Sequence, residues 1–204
     1  PDLETPGFVV DAAVDALRNG DTHYTELEGR SSLRSAIASK LSSSAGVRID
    51  PDWVTVLAGT QNAFYSACRC LFGAGDEVIV LDPSYVTYEA SIASTGAKQV
   101  RVEQPALNGF RPRIDAIQAA VTPATKGIVF SNPSNPTGVA LRKEELEAIA
   151  RLAVDNDLWV VVDEVYSDLV FEGAHHSIVG MPEMLERTVT VSSVSKSYAM
   201  TGWR

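Results

Sequence analysis

Two side chains stand apart from their surroundings. Asp163 directly follows the apolar run Leu158-Trp-Val-Val-Val162, so a carboxylate leaves the end of a strand that reads as buried on both faces. Lys196 sits in a small, hydroxyl-rich turn, Ser192-Ser-Val-Ser-Lys-Ser-Tyr198. Taken alone, Asp163 reads as a helix N-cap or an ion-pair partner, and Lys196 as a solvated surface amine. The combination reads differently. Gly59-Thr60-Gln61, Tyr85, Asn135, Tyr166, Ser193 and Arg204 all fall just after strand-like runs. One cofactor uses such a set: pyridoxal 5′-phosphate. It takes a lysine amine for a Schiff base and a carboxylate beside the ring nitrogen, which keeps that nitrogen protonated. Its phenolate oxygen needs donors. Its phosphate suits a helix N-terminus, hydroxyls and an arginine fork.

The elements that must position these groups follow from hydrophobic spacing. Thr5 as N-cap and Pro6 at the first turn predict a helix with a buried stripe of Val10, Ala13, Val14 and Leu17, ended by Asn19-Gly20. A second helix places Leu33, Ile37 and Leu41 on one face and closes before Gly46. From there the pattern alternates. Strands are predicted at Val54–Leu57, Glu77–Leu81, Gln99–Val102, Gly127–Phe130, Leu158–Val162 and Thr188–Val191. Helices are predicted near Gln61–Phe72, Tyr85–Ser94, Ile114–Ala120 and Lys143–Asp155. Short β-branched runs alternating with helices predict one three-layer α/β/α domain with a mostly parallel sheet. Active sites in such sheets sit at the carboxyl ends of the strands. His175-His176 reads as part of a surface hairpin without a role.

Composition removes several classes. The 204 residues are 45% hydrophobic and 21% charged, ordinary for a globular chain. Seventeen Lys and Arg against twenty-six Asp and Glu give a net charge of −9, the wrong sign for binding nucleic acid or an anionic membrane. No apolar run approaches the roughly 20 residues that span a bilayer. The start of the chain lacks the regions of a signal peptide. A soluble, cytoplasmic protein is expected. Cys68 and Cys70 are too close together to staple the fold, and the three histidines are not spaced like zinc ligands. Ser193-Val-Ser-Lys196 also fits the S-x-x-K pattern of penicillin-recognising serine enzymes, but neither Ser-Asp-Asn nor Lys-Thr-Gly occurs. Gly73-Ala-Gly75 precedes a strand, the wrong context for a dinucleotide fingerprint.

Three stretches in this order closely resemble the class I/II aminotransferases of PLP fold type I: Ser131-Asn-Pro-Ser-Asn-Pro-Thr-Gly138, Asp163-Glu-Val-Tyr166, and Ser193-Val-Ser-Lys-Ser-Tyr-Ala-Met-Thr-Gly-Trp-Arg204. The resemblance runs the length of the chain. It implies that Lys196 forms the Schiff base and then moves a proton, that Asp163 partners the pyridinium, and that Asn135 and Tyr166 donate to the phenolate oxygen. It implies phosphate binding by Thr60 with the Gly59–Gln61 amides, by Ser193 and by Arg204, with Tyr85 stacked on the ring. Tyr24 resembles the tyrosine that reaches the neighbouring subunit's phosphate, which implies a homodimer with shared sites. The implied reaction moves an amino group between amino-acid and 2-oxo-acid substrates. A lyase of the same fold, or the ligand-sensing domain of a transcriptional regulator, shares these motifs. Family members are longer, so residues 1–204 are expected to be an incomplete large domain. The N-terminal arm and the small domain, with the arginine for the substrate α-carboxylate, are expected to lie outside it.

Overall fold

Runs of valine and isoleucine become strands because β-branched side chains pack well on a pleated, buried surface. In the computed structural model, which describes residues 3–203, five strands form one sheet. They are β1 (Glu77–Asp82), β2 (Lys98–Glu103), β3 (Thr125–Ser131), β4 (Trp159–Asp163) and β5 (Thr188–Val191). Their order is β2-β1-β3-β4-β5, and every pair is parallel. The helices are α1 (Gly7–Arg18), α2 (Ser31–Ala45), α3 (Thr60–Leu71), α4 (Thr87–Ala93), α5 (Ile114–Ala120), α6 (Lys143–Asp155) and α7 (Val194–Ser197).

Strand alternation sorts the core into two clusters. Ile79 and Leu81 of β1, Ile128 and Phe130 of β3, and Val160 and Val162 of β4 pack with Ile117 of α5 and Leu146 and Ile149 of α6. The intervening residues, Val78, Val80, Val129 and Val161, pack with Phe64 and Cys68 of α3 and Tyr88 and Ile92 of α4. Both faces are covered, which makes the predicted three layers. Each such side chain stabilises the fold by roughly 1.5–3 kcal/mol through burial. Cys68 is part of this core: burial pushes its thiol up to about 12, which suits packing rather than reactivity. Among the described residues, no helix is long and apolar enough to cross a membrane.

The amino-terminal third departs from expectation. Val54–Leu57 joins no sheet; its Val56 N–H donates to the Glu28 carbonyl at 2.8 Å instead. Thr5 does not cap α1, which starts after Pro6. Its hydroxyl donates to the Ala199 carbonyl at 2.7 Å and accepts from Trp203 Nε1 at 3.1 Å. The stripe on α1 is not buried: Leu17 is exposed, and Ala13 and Val14 are only half-buried. On α2 the buried residue is Ala38, with Ile37 and Leu41 half-buried beside it.

Candidate active site

Parallel strands place all their carboxyl ends on one edge of the sheet. Asp163 ends β4, level with Ser131 at the end of β3 and Val191 at the end of β5. Its side chain is buried on the α3/α4 side. The Tyr88 hydroxyl donates to Oδ2 at 2.9 Å, and the Val165 N–H donates to Oδ1 at 3.0 Å. Both donors are neutral, and no ion pair reaches Asp163 among the described residues. Burial therefore raises its pKa, although both hydrogen bonds pull the other way.

Aromatic rings line the approach to this carboxyl. Tyr85 meets Tyr88 edge to face, with ring centroids 5.9 Å apart, and Tyr88 stacks on Phe64 at 4.3 Å. Burial raises the Tyr166 pKa, and the nearby Asp163 and Tyr85 reinforce the shift, so its hydroxyl keeps its proton and remains a donor. Lys196 Nζ lies 6.0 Å from the Tyr166 ring centroid and is exposed. Its turn is held from behind: Asp168 accepts from the Ser197 hydroxyl at 2.7 Å and pairs with Lys40 of α2. Ser193 caps α7, its Oγ accepting from the Ser195 N–H at 3.3 Å.

The start of α3 forms the second part of the site. Gly59 takes φ +82°, a backbone that favours glycine, and turns the chain into the helix. No side chain caps α3, so its first amides remain available to an anion. The Thr60 hydroxyl lies 3.5 Å from the Ser192 carbonyl, joining this helix start to the end of β5. The Gln61 side chain turns away to Ser91 and Thr87 of α4. Asn135 is half-buried in the loop after β3, with its N–H donating to Ser131 Oγ at 3.0 Å.

Thus Asp163, Tyr166, Tyr85 and Lys196 come together, and Thr60 reaches the chain beside Ser193. Tyr24 does not join them; it stands fully exposed between α1 and α2. Arg204 lies outside the described residues. Three participants were not evident from sequence: Tyr88, Glu164 and His175. Tyr88 falls one helical turn after Tyr85, and Glu164 leaves the same apolar strand as Asp163 on the opposite face. His175 is not in an exposed hairpin. Its side chain is packed against Asn132 and Glu164.

A parallel sheet covered on both faces, with a lysine turn, a buried carboxyl and an uncapped helix start along one edge, defines an α/β protein. The chain belongs to the aminotransferase class I and II family, whose model matches residues 1–204. It is 45% identical over 204 residues to the arginine–pyruvate transaminase of Pseudomonas aeruginosa, covering 100% of this chain and 52% of that protein. It is 40% identical to the aspartate/prephenate aminotransferase of Thermus thermophilus, with the same coverage. Among solved structures, the Thermus thermophilus aspartate aminotransferase with maleate superposes with a TM-score of 0.97 at 40% identity, covering 100% of this chain and 53% of that one. The chain spans about half the length of the relatives it matches.

Proposed function

We propose that this protein transfers an amino group from an amino acid to a 2-oxo acid, using pyridoxal 5′-phosphate held along the carboxyl edge of the sheet. One observation carries the reading: Asp163 is a buried carboxyl with two neutral donors and, among the described residues, no cation paired to it. A protonated ring nitrogen supplies the missing counter-charge, so the residues present fit the cofactor. When bound, pyridoxal phosphate offers an aldehyde carbon for amine attachment and a ring that takes up the electron pair left at a substrate α-carbon.

The chain's own groups divide the remaining work. Asp163 would hold a proton on the ring nitrogen through its charge. Lys196 Nζ would be the amine that attaches the group and would carry a proton from the substrate α-carbon. Asn135 and Tyr166 would donate to the phenolate oxygen, and Tyr85 would cover the ring. The Gly59–Gln61 amides, the Thr60 and Ser193 hydroxyls and the Arg204 guanidinium bind the phosphate. The exposed Tyr24 and the uncovered apolar stripe of α1, with Val10 and Leu17 in solvent, support a homodimer in which Tyr24 serves the partner's site.

The test is covalent trapping. Pyridoxal phosphate added to the chain should give a visible absorbance band, and borohydride should fix it to the peptide containing Lys196. Lys196→Ala should abolish the fixation while keeping some affinity through phosphate contacts. Fixation on Lys126 or Lys143 instead overturns the assignment.

A further inference from the structure

Every polar group of Asn132 is engaged. Its N–H donates to the Asp163 carbonyl at 2.9 Å, and Nδ2 donates to the His176 carbonyl at 2.8 Å. Oδ1 accepts from the Leu141 N–H at 2.9 Å, closing the base of the loop that carries Asn135. The Asn132 carbonyl lies 3.2 Å from His175 Nε2. A carbonyl only accepts, so this contact is a hydrogen bond only when Nε2 carries the proton. The same nitrogen stands 3.8 Å from Glu164 Oε1, a buried atom with no hydrogen-bond partner.

We propose that His175 and Glu164 are positioning residues: His175 donates through Nε2 to the Asn132 carbonyl, and Glu164 stands behind it as an uncharged acid, so that a net-neutral pair anchors the Ser131–Gly138 loop. This inference goes beyond the cofactor reading, and only its consequence for Asn135 rests on that reading.

The competing arrangement is a buried ion pair. At 3.8 Å the two groups would gain Coulomb attraction without a charge-assisted hydrogen bond, while both ions lost their hydration. Burial opposes both charged forms, raising Glu164 to about 7 and lowering His175. The surrounding groups shape the same balance. Asp163 faces Glu164 with negative charge, and Ser177 is its hydrogen-bonding neighbour. His176 and Asp168 face His175, with Asp168 already paired to Lys40. Glu164 therefore gains its charge only as pH rises through about 7.

The loop transmits what happens at Asn132. Two internal bonds stiffen it, Ser134 N–H to the Val139 carbonyl and Gly138 N–H to the Ser134 carbonyl, each 2.8 Å. A displaced Asn132 carbonyl therefore moves Asn135 relative to Asp163.

Imidazole nitrogen NMR on the cofactor-free chain is the deciding experiment. The chain has three histidines, and the His175 signals are those that vanish in His175→Gln. A neutral ring protonated on Nε2 is expected at neutral pH, with an inflection near pH 7 that Glu164→Gln removes. A cationic ring at neutral pH, a proton on Nδ1 alone, or an inflection retained in Glu164→Gln overturns the proposal. A second arm tests the positioning role. Gln keeps a donor where Nε2 stood, so His175→Gln should leave the Asn135 amide signal in place, whereas His175→Leu should move it. His175→Leu should also weaken pyridoxal phosphate binding by roughly 3–10-fold, the worth of one hydrogen bond. Equal effects of Gln and Leu on the amide signal refute positioning. The NMR arms contain no cofactor, so they stand even if the cofactor reading fails.

Discussion

Tyr88→Phe removes the hydroxyl that bonds Asp163 and neighbours Ser131 at the centre of the site. The substitution keeps the ring that stacks on Phe64 at 4.3 Å and deletes only the hydroxyl that donates to Asp163 Oδ2 at 2.9 Å. Asp163 then keeps the Val165 N–H alone. A hydrogen bond to a charged group contributes roughly 1.5–3 kcal/mol net. That bond favours the ionised carboxylate, so its loss should push the Asp163 pKa further up. The sign follows from linkage. Asp163 already has a folded-state pKa above its ordinary value, so its contribution to stability is fully present below the unfolded pKa and is lost as pH rises through the folded one. Tyr88→Phe raises the folded pKa further, so the variant's deficit should be small in acid and grow to about 2 kcal/mol once Asp163 is ionised. Urea midpoints across the acid-to-neutral range measure this, and a double-mutant cycle with Asp163→Asn should return a coupling of about 1–2 kcal/mol. A deficit of the same size at every pH would refute the reasoning, since it would show that the hydroxyl matters only as buried volume.

Two further substitutions test the frame around the site. In Gly127→Ala, the new Cβ would stand 2.6 Å from Phe72 Cε1 and 3.0 Å from the Trp159 carbonyl, so overpacking should cost about 1–3 kcal/mol in a urea or thermal midpoint; an unchanged midpoint would show that Phe72 yields freely. Asp168→Asn should cost no more than about 1 kcal/mol because the Lys40 pair is half-exposed, yet it should lower pyridoxal phosphate affinity by loosening the Ser197 end of the lysine turn. An affinity unchanged in an absorbance titration would mean that the turn holds itself.

The sheet was legible because local and tertiary signals agree there. Ile114–Ala120, Lys143–Asp155 and Thr188–Val191 have the limits that their hydrophobic spacing predicts. The strand residues fill two separate clusters, as a near-continuous apolar run requires when both faces are covered. Val54–Leu57 misled because β-propensity describes a strand only when a neighbouring edge is free, and here its partner is the connection at Glu28. The α1 stripe misled for a related reason: amphipathic spacing shows which face would be buried, not that this chain covers it. At the candidate site, Asp163, Tyr166 and Lys196 could be singled out only in combination, as residues that follow apolar runs and match the aminotransferase motifs. Tyr88 and His175 were not, because each matters through a partner 75 and 43 residues away. Such contacts exist only once the strands are in order.

The two acids at the end of β4 show how that order turns adjacent residues to different uses. Strand alternation sends Asp163 to the α3/α4 side, where two donors stabilise its charge, and Glu164 to the opposite side, where one oxygen has no partner. Two buried anions one residue apart would repel, and Asp163 does help to push the Glu164 pKa up. A neutral Glu164 removes that repulsion and leaves a single negative charge, at Asp163, facing the position proposed for the ring nitrogen. Burial raises the pKa of both carboxyls, and only Asp163 has two donors that favour its charge. In the proposed roles, Asp163 takes a cation that no described residue supplies, and Glu164, uncharged below a pH of about 7, leaves His175 to hold the loop. A Glu164→Gln variant that kept the loop in place but left Asp163 unable to support the cofactor would break this division. The two roles would then belong to one coupled charge rather than to two separately tuned acids.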